Sequence, residues 1–114
     1  MDMTVSTRKV NGVTILDLSG RIVLGDGCTM LRSLIRDLVS YGDKQILFNL
    51  RDVGYIDSSG LSFLVTAYTS VRKAGGDLKL LNASVKVRDV MKYMKLDKVF
   101  DMLVDEISAV RSFS

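Results

Sequence analysis

The sequence of 114 residues contains no histidine, no proline and only one cysteine, Cys28. Histidine is the side chain best suited to proton transfer near neutral pH, so Ser–His and Cys–His nucleophile pairs and histidine-ligated metal sites are excluded. A single cysteine cannot form an internal disulfide or a cysteine-cluster metal site. No stretch matches the phosphate-binding pattern G-x-x-x-x-G-K-[ST], and no G-x-G-x-x-G follows a strand. We therefore expect a protein that is not an enzyme and holds no cofactor or metal ion.

Long apolar runs and strong charge are also missing. No run approaches the roughly 20 apolar residues that span a bilayer, and the opening MDMTVSTRK lacks the apolar stretch of a signal peptide. The 16 basic and 13 acidic residues give a net charge of +3, scattered along the chain rather than concentrated as in nucleic-acid binders. We expect one domain over residues 1–114, located in the cytoplasm, with no direct contact to nucleic acid or membrane.

Several segments have the composition of strands. Asn11-Gly12 is a strong hairpin signal, because both residues tolerate positive φ, and it predicts an antiparallel pair made by Met3–Val10 and residues 13–18. The latter carry apolar side chains on both faces, so we expect cover on both faces of the sheet. Apolar runs predict further strands at 46–50, 78–81 and 99–104.

Helical spacing separates these strands. Apolar residues recur at i, i+3, i+4 and i+7 over residues 31–39 and 61–71, and glycines follow each run. Ser84 predicts the N-cap of a third helix with Met91 and Met94 on its inner face, and residues 107–110 suggest a closing helical turn. Strands alternating with helices predict right-handed crossovers and a mainly parallel sheet, here with an antiparallel edge hairpin.

The segment YIDSSGL, residues 55–61, joins a strand to a helix. One interpretation is a turn in which Asp57 or Ser58 caps the helix, while Gly60 lets another backbone approach closely. The other interpretation is a phosphorylation site, because a serine at a helix start is accessible to a kinase and the helix dipole favours the added charge. The residues alone leave both open.

Residues 50–61, LRDVGYIDSSGL, resemble the signature of bacterial anti-sigma factor antagonists in the STAS domain family, which also occurs in the cytoplasmic tails of sulphate transporters. The resemblance extends to residues 19–22, to the ILFNL strand, to Ala74-Gly75-Gly76 and to residues 94–100, MKLDKVF. It implies a mixed sheet of four or five strands backed by helices. It also implies a phosphorylation-switched module that binds an anti-sigma factor serine kinase when unmodified and releases it when phosphorylated.

The resemblance assigns residues as well. Ser58 is the implied phosphorylation site, from which a serine phosphatase removes the group, and Ser59 would support the loop and the cap. Asp57, Gly60 and Leu61 would lie in the docking surface with the loop after Gly20.

That loop departs from the family pattern. Many such antagonists carry an acidic residue two or three positions after the glycine that matches Gly20, whereas here those positions hold Ile22 and Val23. Asp26 is the nearest following acid. Either Asp26 replaces it as a partner contact, or the kinase contact differs, or residues 25–27 form a plain turn and helix cap.

Two rival functions are also compatible with these residues. The fold could serve as a scaffold subunit without a switch, as in STAS components of signalling or transport complexes. A small enzyme or nucleotide-binding protein could use residues 25–27 at a helix N-terminus, although the absence of histidine and of a phosphate-binding loop disfavours it.

Overall fold

The computed structural model describes residues 3–114, apart from the side chain of Asp26. The elements in chain order are β1 (Met3–Val10), β2 (Val13–Ile22), α1 (Asp26–Ser40), β3 (Gln45–Ile56), α2 (Ser58–Lys73), β4 (Asp77–Leu81), α3 (Val85–Tyr93), a 3-10 turn (Leu96–Lys98), β5 (Met102–Leu103) and α4 (Glu106–Arg111). Among these, none of the helices combines the length and apolar character that crossing a bilayer requires.

The strands form one mixed sheet in the order β1-β2-β3-β4-β5. The β1–β2 pair is antiparallel and turns through Asn11 and Gly12, whose φ angles are 49° and 82°. The remaining neighbours are parallel. The predicted fold class, a mainly parallel sheet with an N-terminal hairpin, is therefore confirmed.

The helices divide between the two faces of the sheet. Successive parallel strands advance in one direction, so right-handed crossovers place α1, α2 and α3 on the same face. The larger core lies there, where Leu16, Phe48 and Leu50 of the strands pack with Leu31 of α1 and Leu64 of α2. Alternate residues of the strands point to the opposite face.

That second face has a smaller core beneath α4. Ile15 and Leu47 of the sheet pack there with Ala109 and Val110 of the last helix. This confirms the expectation that the strand after Gly12 is covered on both faces. Removing α4 from the sheet would expose these side chains to water.

Strands β2 and β3 extend beyond the predicted runs. Residues 19–22 pair with residues 52–56, with register shifts between Asp17 and Ser19 and between Gly20 and Arg21. The extension carries β3 to Ile56, so α2 begins two residues later, at the same end of the sheet as the loop after β2.

The predicted last strand is confirmed with shorter bounds, whereas the expected position of Met94 is wrong. The last strand is limited to Met102–Leu103, because the amides of Val99 and Phe100 donate to the Leu96 carbonyl and continue the 3-10 turn instead. Met94 does not lie on the inner face of the third helix, since α3 ends at Tyr93 and Met94 is 52% exposed.

Candidate functional site

The candidate site lies at the carboxyl edge of the parallel strands, where β2 and β3 end side by side at Ile22 and Ile56. The loop after β2 leads into α1, and Asp57 leads directly into α2. In open α/β sheets, ligands bind outside the carboxyl ends of the strands. Ser58, the first residue of α2, occupies this edge.

Asp57 is the N-cap of α2. Its carboxylate accepts a hydrogen bond of 2.8 Å from the Gly60 amide, and its carbonyl accepts one of 2.9 Å from the Leu61 amide. Its own amide donates to the Ile22 carbonyl at 3.3 Å, which ties the start of α2 to the end of β2. Of the two capping candidates in the sequence, Asp57 performs this role and Ser58 does not.

The Ser58 and Ser59 side chains are consequently not needed for the cap. Both residues are exposed, and neither hydroxyl is hydrogen-bonded to any group that the structure describes. Ser58 therefore presents a free hydroxyl at the first turn of a helix, where unpaired backbone amides and the helix dipole favour negative charge.

Gly60 has a structural reason for its small size. A Cβ atom added there would lie 2.1 Å from the Ile22 carbonyl oxygen and 2.8 Å from Ile56 Cγ1. The backbone that approaches Gly60 is thus that of the chain's own β2, and Gly60 is buried. Leu61 is 5% exposed, so both residues position the site more than they add contact area.

Two shallow depressions meet at Ser58. One is lined in part by Asp57, Asp89 and Tyr93, the other in part by Ser62, Val65 and Leu96, and both include Leu61 and Met94. We call the surface made by five exposed or half-buried residues among these the Ser58 patch, which comprises Ser58, Val65, Tyr93, Met94 and Leu96.

The apolar members of the Ser58 patch at the end of α3 and just after it were not foreseen from the sequence. Tyr93 is 86% exposed and Met94 52% exposed. The i+7 spacing from Val87 suggested a continuing helix, whereas Lys95 adopts a left-handed conformation with φ 62°. The sequence contains one indication that the helix ends here, because Met94 is followed by the charged Lys95 instead of another apolar residue.

The charges beside Ser58 are acidic. Asp57 and Asp89 both line the depression that contains Ser58. A phosphate on Ser58 would add nearly two negative charges to this surface. Such a modification would change the electrostatics of the Ser58 patch more than its shape.

The loop between β2 and α1 lies close by. Its Gly25, with φ 145°, precedes α1 without a side-chain cap, and Asp26 is the first residue of α1, with its side chain outside the described part of the structure. Ile22 is buried and Val23 half-buried. The predicted partner contact at Asp26 stays a prediction.

Cys28 near this loop is chemically quiet. Its thiol is buried and donates a hydrogen bond to the Val23 carbonyl at 3.1 Å. Burial raises the pKa of the thiol, which disfavours the reactive thiolate. Among the side chains that the structure describes, no three His, Cys, Asp or Glu residues are grouped to hold a metal ion.

Comparison with known proteins agrees with this architecture. A protein-family model for the STAS domain matches residues 4–109. The chain is 26% identical over 102 residues to the "Anti-sigma-B factor antagonist" of Bacillus subtilis, a match that covers 90% of this chain and 92% of that protein.

Solved structures show the same fold. The Bacillus cell fate determinant SpoIIAA, an anti-sigma factor antagonist, superposes in its unphosphorylated form with a TM-score of 0.80, at 22% identity over 94% of this chain and 93% of that one. Its phosphorylated form gives 0.75 at 21% identity, over 97% and 100%. A sulfate transporter family protein from Wolinella succinogenes gives 0.78 at 20% identity, over 90% and 85%.

Proposed function

Because the chain belongs to the STAS domain family, whose model matches residues 4–109, we propose that it is an anti-sigma factor antagonist switched by phosphorylation of Ser58. The unmodified protein binds an anti-sigma factor that is also a serine kinase of the histidine-kinase-like ATPase type, and so frees a sigma factor. Phosphorylation by that kinase releases the complex, and a serine phosphatase restores the binding form.

The observation that carries the proposal is that Asp57, and not Ser58, caps the start of α2. The Asp57 carboxylate caps the helix through the Gly60 amide, while Ser58 is exposed beside the apolar side chains of Tyr93 and Met94. A kinase can therefore reach the Ser58 hydroxyl, and its modification removes no hydrogen bond that holds the fold.

The transfer itself needs only the Ser58 hydroxyl from this chain. Its oxygen attacks the γ-phosphorus of ATP, the bond from that phosphorus to the bridging oxygen of ADP breaks, and the hydroxyl proton passes to a base on the kinase. The products are phosphoserine and ADP. Hydrolysis by the phosphatase returns the hydroxyl and releases inorganic phosphate.

A phosphate on Ser58 makes partner binding at the docking surface unfavourable. A partner seated on the Ser58 patch would enclose the phosphate beside Asp57 and Asp89, which line the same depression. A mispaired charge enclosed at an interface costs about 2–5 kcal/mol, or roughly 30- to 4000-fold in affinity. The helix dipole, in contrast, stabilises the phosphate by about 0.3–1 kcal/mol, so the fold should persist.

The test is intact-mass spectrometry of the purified chain after incubation with ATP and its cognate anti-sigma factor kinase. We expect addition of one phosphate to the wild type and to Ser59→Ala, and none to Ser58→Ala. Unmodified protein should co-elute with the kinase in gel filtration, and phosphorylated protein should not. Phosphate on Ser58→Ala, or unchanged co-elution after phosphorylation, would refute the switch.

A second candidate is a STAS scaffold subunit without a switch. The likeness to a sulfate transporter family protein and the apolar Ile22 and Val23 in place of an acidic residue favour it. A stable complex with a partner that transfers no phosphate to Ser58 in the presence of ATP would establish the scaffold in place of the switch.

A further inference from the structure

A groove between α1 and α2 lies away from the Ser58 patch. It has a volume of about 390 Å³, within the range of small-molecule sites in proteins. We call it the α1/α2 groove and define it by six residues: Arg32, Ile35, Arg36, Val39, Phe63 and Ala67. Thr66 lines both this groove and a depression at Ser58, so α2 separates the two surfaces.

The helical repeat explains why the groove exists. Its α1 residues are spaced i, i+3, i+4 and i+7, and its α2 residues Phe63, Thr66, Ala67 and Ser70 follow the same spacing, so each set forms one stripe along its helix. The last three of these are small. They leave the space beside α1 unfilled along the axis.

The floor of the groove is apolar. Ile35 and Phe63 are each 4% exposed and Ala67 is 5% exposed. Over the described chain, no buried side-chain nitrogen or oxygen lacks a hydrogen-bond partner, so the floor offers no unpaired polar side-chain atom. The hydroxyls that line the groove belong to exposed residues, namely Ser40, Thr66 and Ser70. The chemistry of the floor favours a hydrocarbon.

The rim of the groove is cationic. Arg32 and Arg36, one helical turn apart on α1, are the charged residues that line it. The Arg32 guanidinium carbon lies 5.9 Å from the centre of the Phe63 ring, so Arg32 spans the groove from α1 to α2. Neither arginine belongs to a salt bridge within the described residues. Arg36 donates a hydrogen bond of 3.4 Å to the Ser33 hydroxyl, and among the described residues both guanidinium groups still lack a carboxylate partner, which a bound carboxylate would supply.

The length of the groove limits its occupant. From Arg32 to Ser40, eight residues of helix rise about 12 Å, close to the length of an extended chain of about ten carbons with bonds of about 1.5 Å. A stable protein partner buries about 800 Å² on each side, which is far more than a groove of this size offers. The dimensions favour a single small molecule.

We propose that the α1/α2 groove binds one fatty-acid-type anion of about eight to ten carbons, with its carboxylate at Arg32 and Arg36 and its chain along Phe63 and Ala67. The site is separate from the Ser58 patch, and its test does not depend on partner switching. Decanoate, kept below the concentration at which it forms micelles, is the probe.

The primary experiment is an NMR titration of the ¹⁵N-labelled chain with decanoate. We expect saturable shifts concentrated in the amides of residues 32–40 and 63–70. Decyltrimethylammonium, which has the same chain length and the opposite charge, should bind at least tenfold more weakly. Equal binding of the two amphiphiles, or shifts that do not saturate, would overturn the proposal.

Variants test where the carboxylate and the hydrocarbon end of the bound decanoate lie. Ser70→Phe places a ring at the exposed end of the groove and should abolish the shifts, whereas Arg32→Gln with Arg36→Gln should weaken binding about tenfold, or 1.4 kcal/mol. Arg88→Gln on α3 removes one charge elsewhere and should bind as the wild type does. Circular dichroism melts confirm that each variant folds. Undiminished binding by folded Ser70→Phe would contradict the assignment.

A membrane surface also presents hydrocarbon chains with anionic head groups, so it is the alternative to a free fatty-acid anion. Sedimentation with phosphatidylglycerol vesicles distinguishes it, because we expect the chain to remain in the supernatant while binding monomeric decanoate. Sedimentation with vesicles without saturable binding of the monomer would overturn the proposal in favour of a lipid-surface contact.

Discussion

Gly60 lies where α2 packs against the end of β2 beside the candidate site, and Gly60→Ala tests how closely the two elements are packed. The added Cβ would meet the Ile22 carbonyl oxygen at 2.1 Å and Ile56 Cγ1 at 2.8 Å. The first contact is with backbone, which a rotamer change cannot relieve. The start of α2 or the end of β2 must therefore move.

The size of the effect follows from two opposing terms. Overpacking a well-packed interior costs about 1–3 kcal/mol, and a backbone clash should fall near the upper value. Alanine regains up to about 1 kcal/mol of helix propensity over glycine. The net destabilisation is about 2 kcal/mol, which for 114 residues at about 2.1 cal/mol/K each lowers Tm by about 8 °C.

Thermal unfolding followed by circular dichroism measures this shift. Gly54→Ala is the matched control, because a Cβ at that exposed position in β3 has no neighbour within 4 Å. We expect its Tm within about 2 °C of the wild type. A Gly60→Ala protein as stable as Gly54→Ala would show that α2 is not seated on β2 as described.

Three further outcomes are expected. Asp57→Ala removes the helix cap and should destabilise the chain by about 1 kcal/mol in urea unfolding, and an unchanged midpoint would contradict the capping role. Hydrogen bonds from Arg8 lower the pKa of Asp17 and of Glu106, so the stability that these two ion pairs contribute is complete above the ordinary carboxyl pKa and is lost as pH falls below about 4. Arg8→Gln should make the free energy of unfolding less dependent on pH in this acid range. An equally steep loss of stability in the variant would exclude the Arg8 ion pairs as its source. Ser58→Asp should melt within about 2 °C of the wild type yet not co-elute with the kinase, and wild-type co-elution would contradict the electrostatic account.

The periodicity of apolar residues was enough to place most elements, because the spacing of apolar residues along a strand or helix follows from which of its faces are buried. The ends of elements were less predictable. Residues 52–55 of β3 include the exposed Asp52, Gly54 and Tyr55, so their strand character comes from pairing with β2 rather than from apolar alternation. Similarly, α1 begins five residues before Leu31, the first residue of its predicted apolar stripe.

The site was predicted in part. The sequence identified Asp57 and Ser58 as capping candidates but could not choose between them, since both residue types are favoured N-caps. The choice depends on the backbone geometry at Asp57, whose extended conformation directs its carboxylate to the Gly60 amide. The contribution of Tyr93 depends on where α3 ends, which the apolar spacing misplaced.

The arrangement around Ser58 explains how the switch that we propose can share a helix with the core. Residues on both sides of Ser58 are committed to structure: Asp57 caps α2 and is tied to β2, and Gly60 and Leu61 are buried. Ser58 lies between them with an exposed side chain and no part in the cap. A phosphate there alters the charge of the surface and leaves these packing contacts in place, so binding can change by orders of magnitude while stability changes little. Had Ser58 been the cap, the proposed phosphorylation would compete with a hydrogen bond that holds α2.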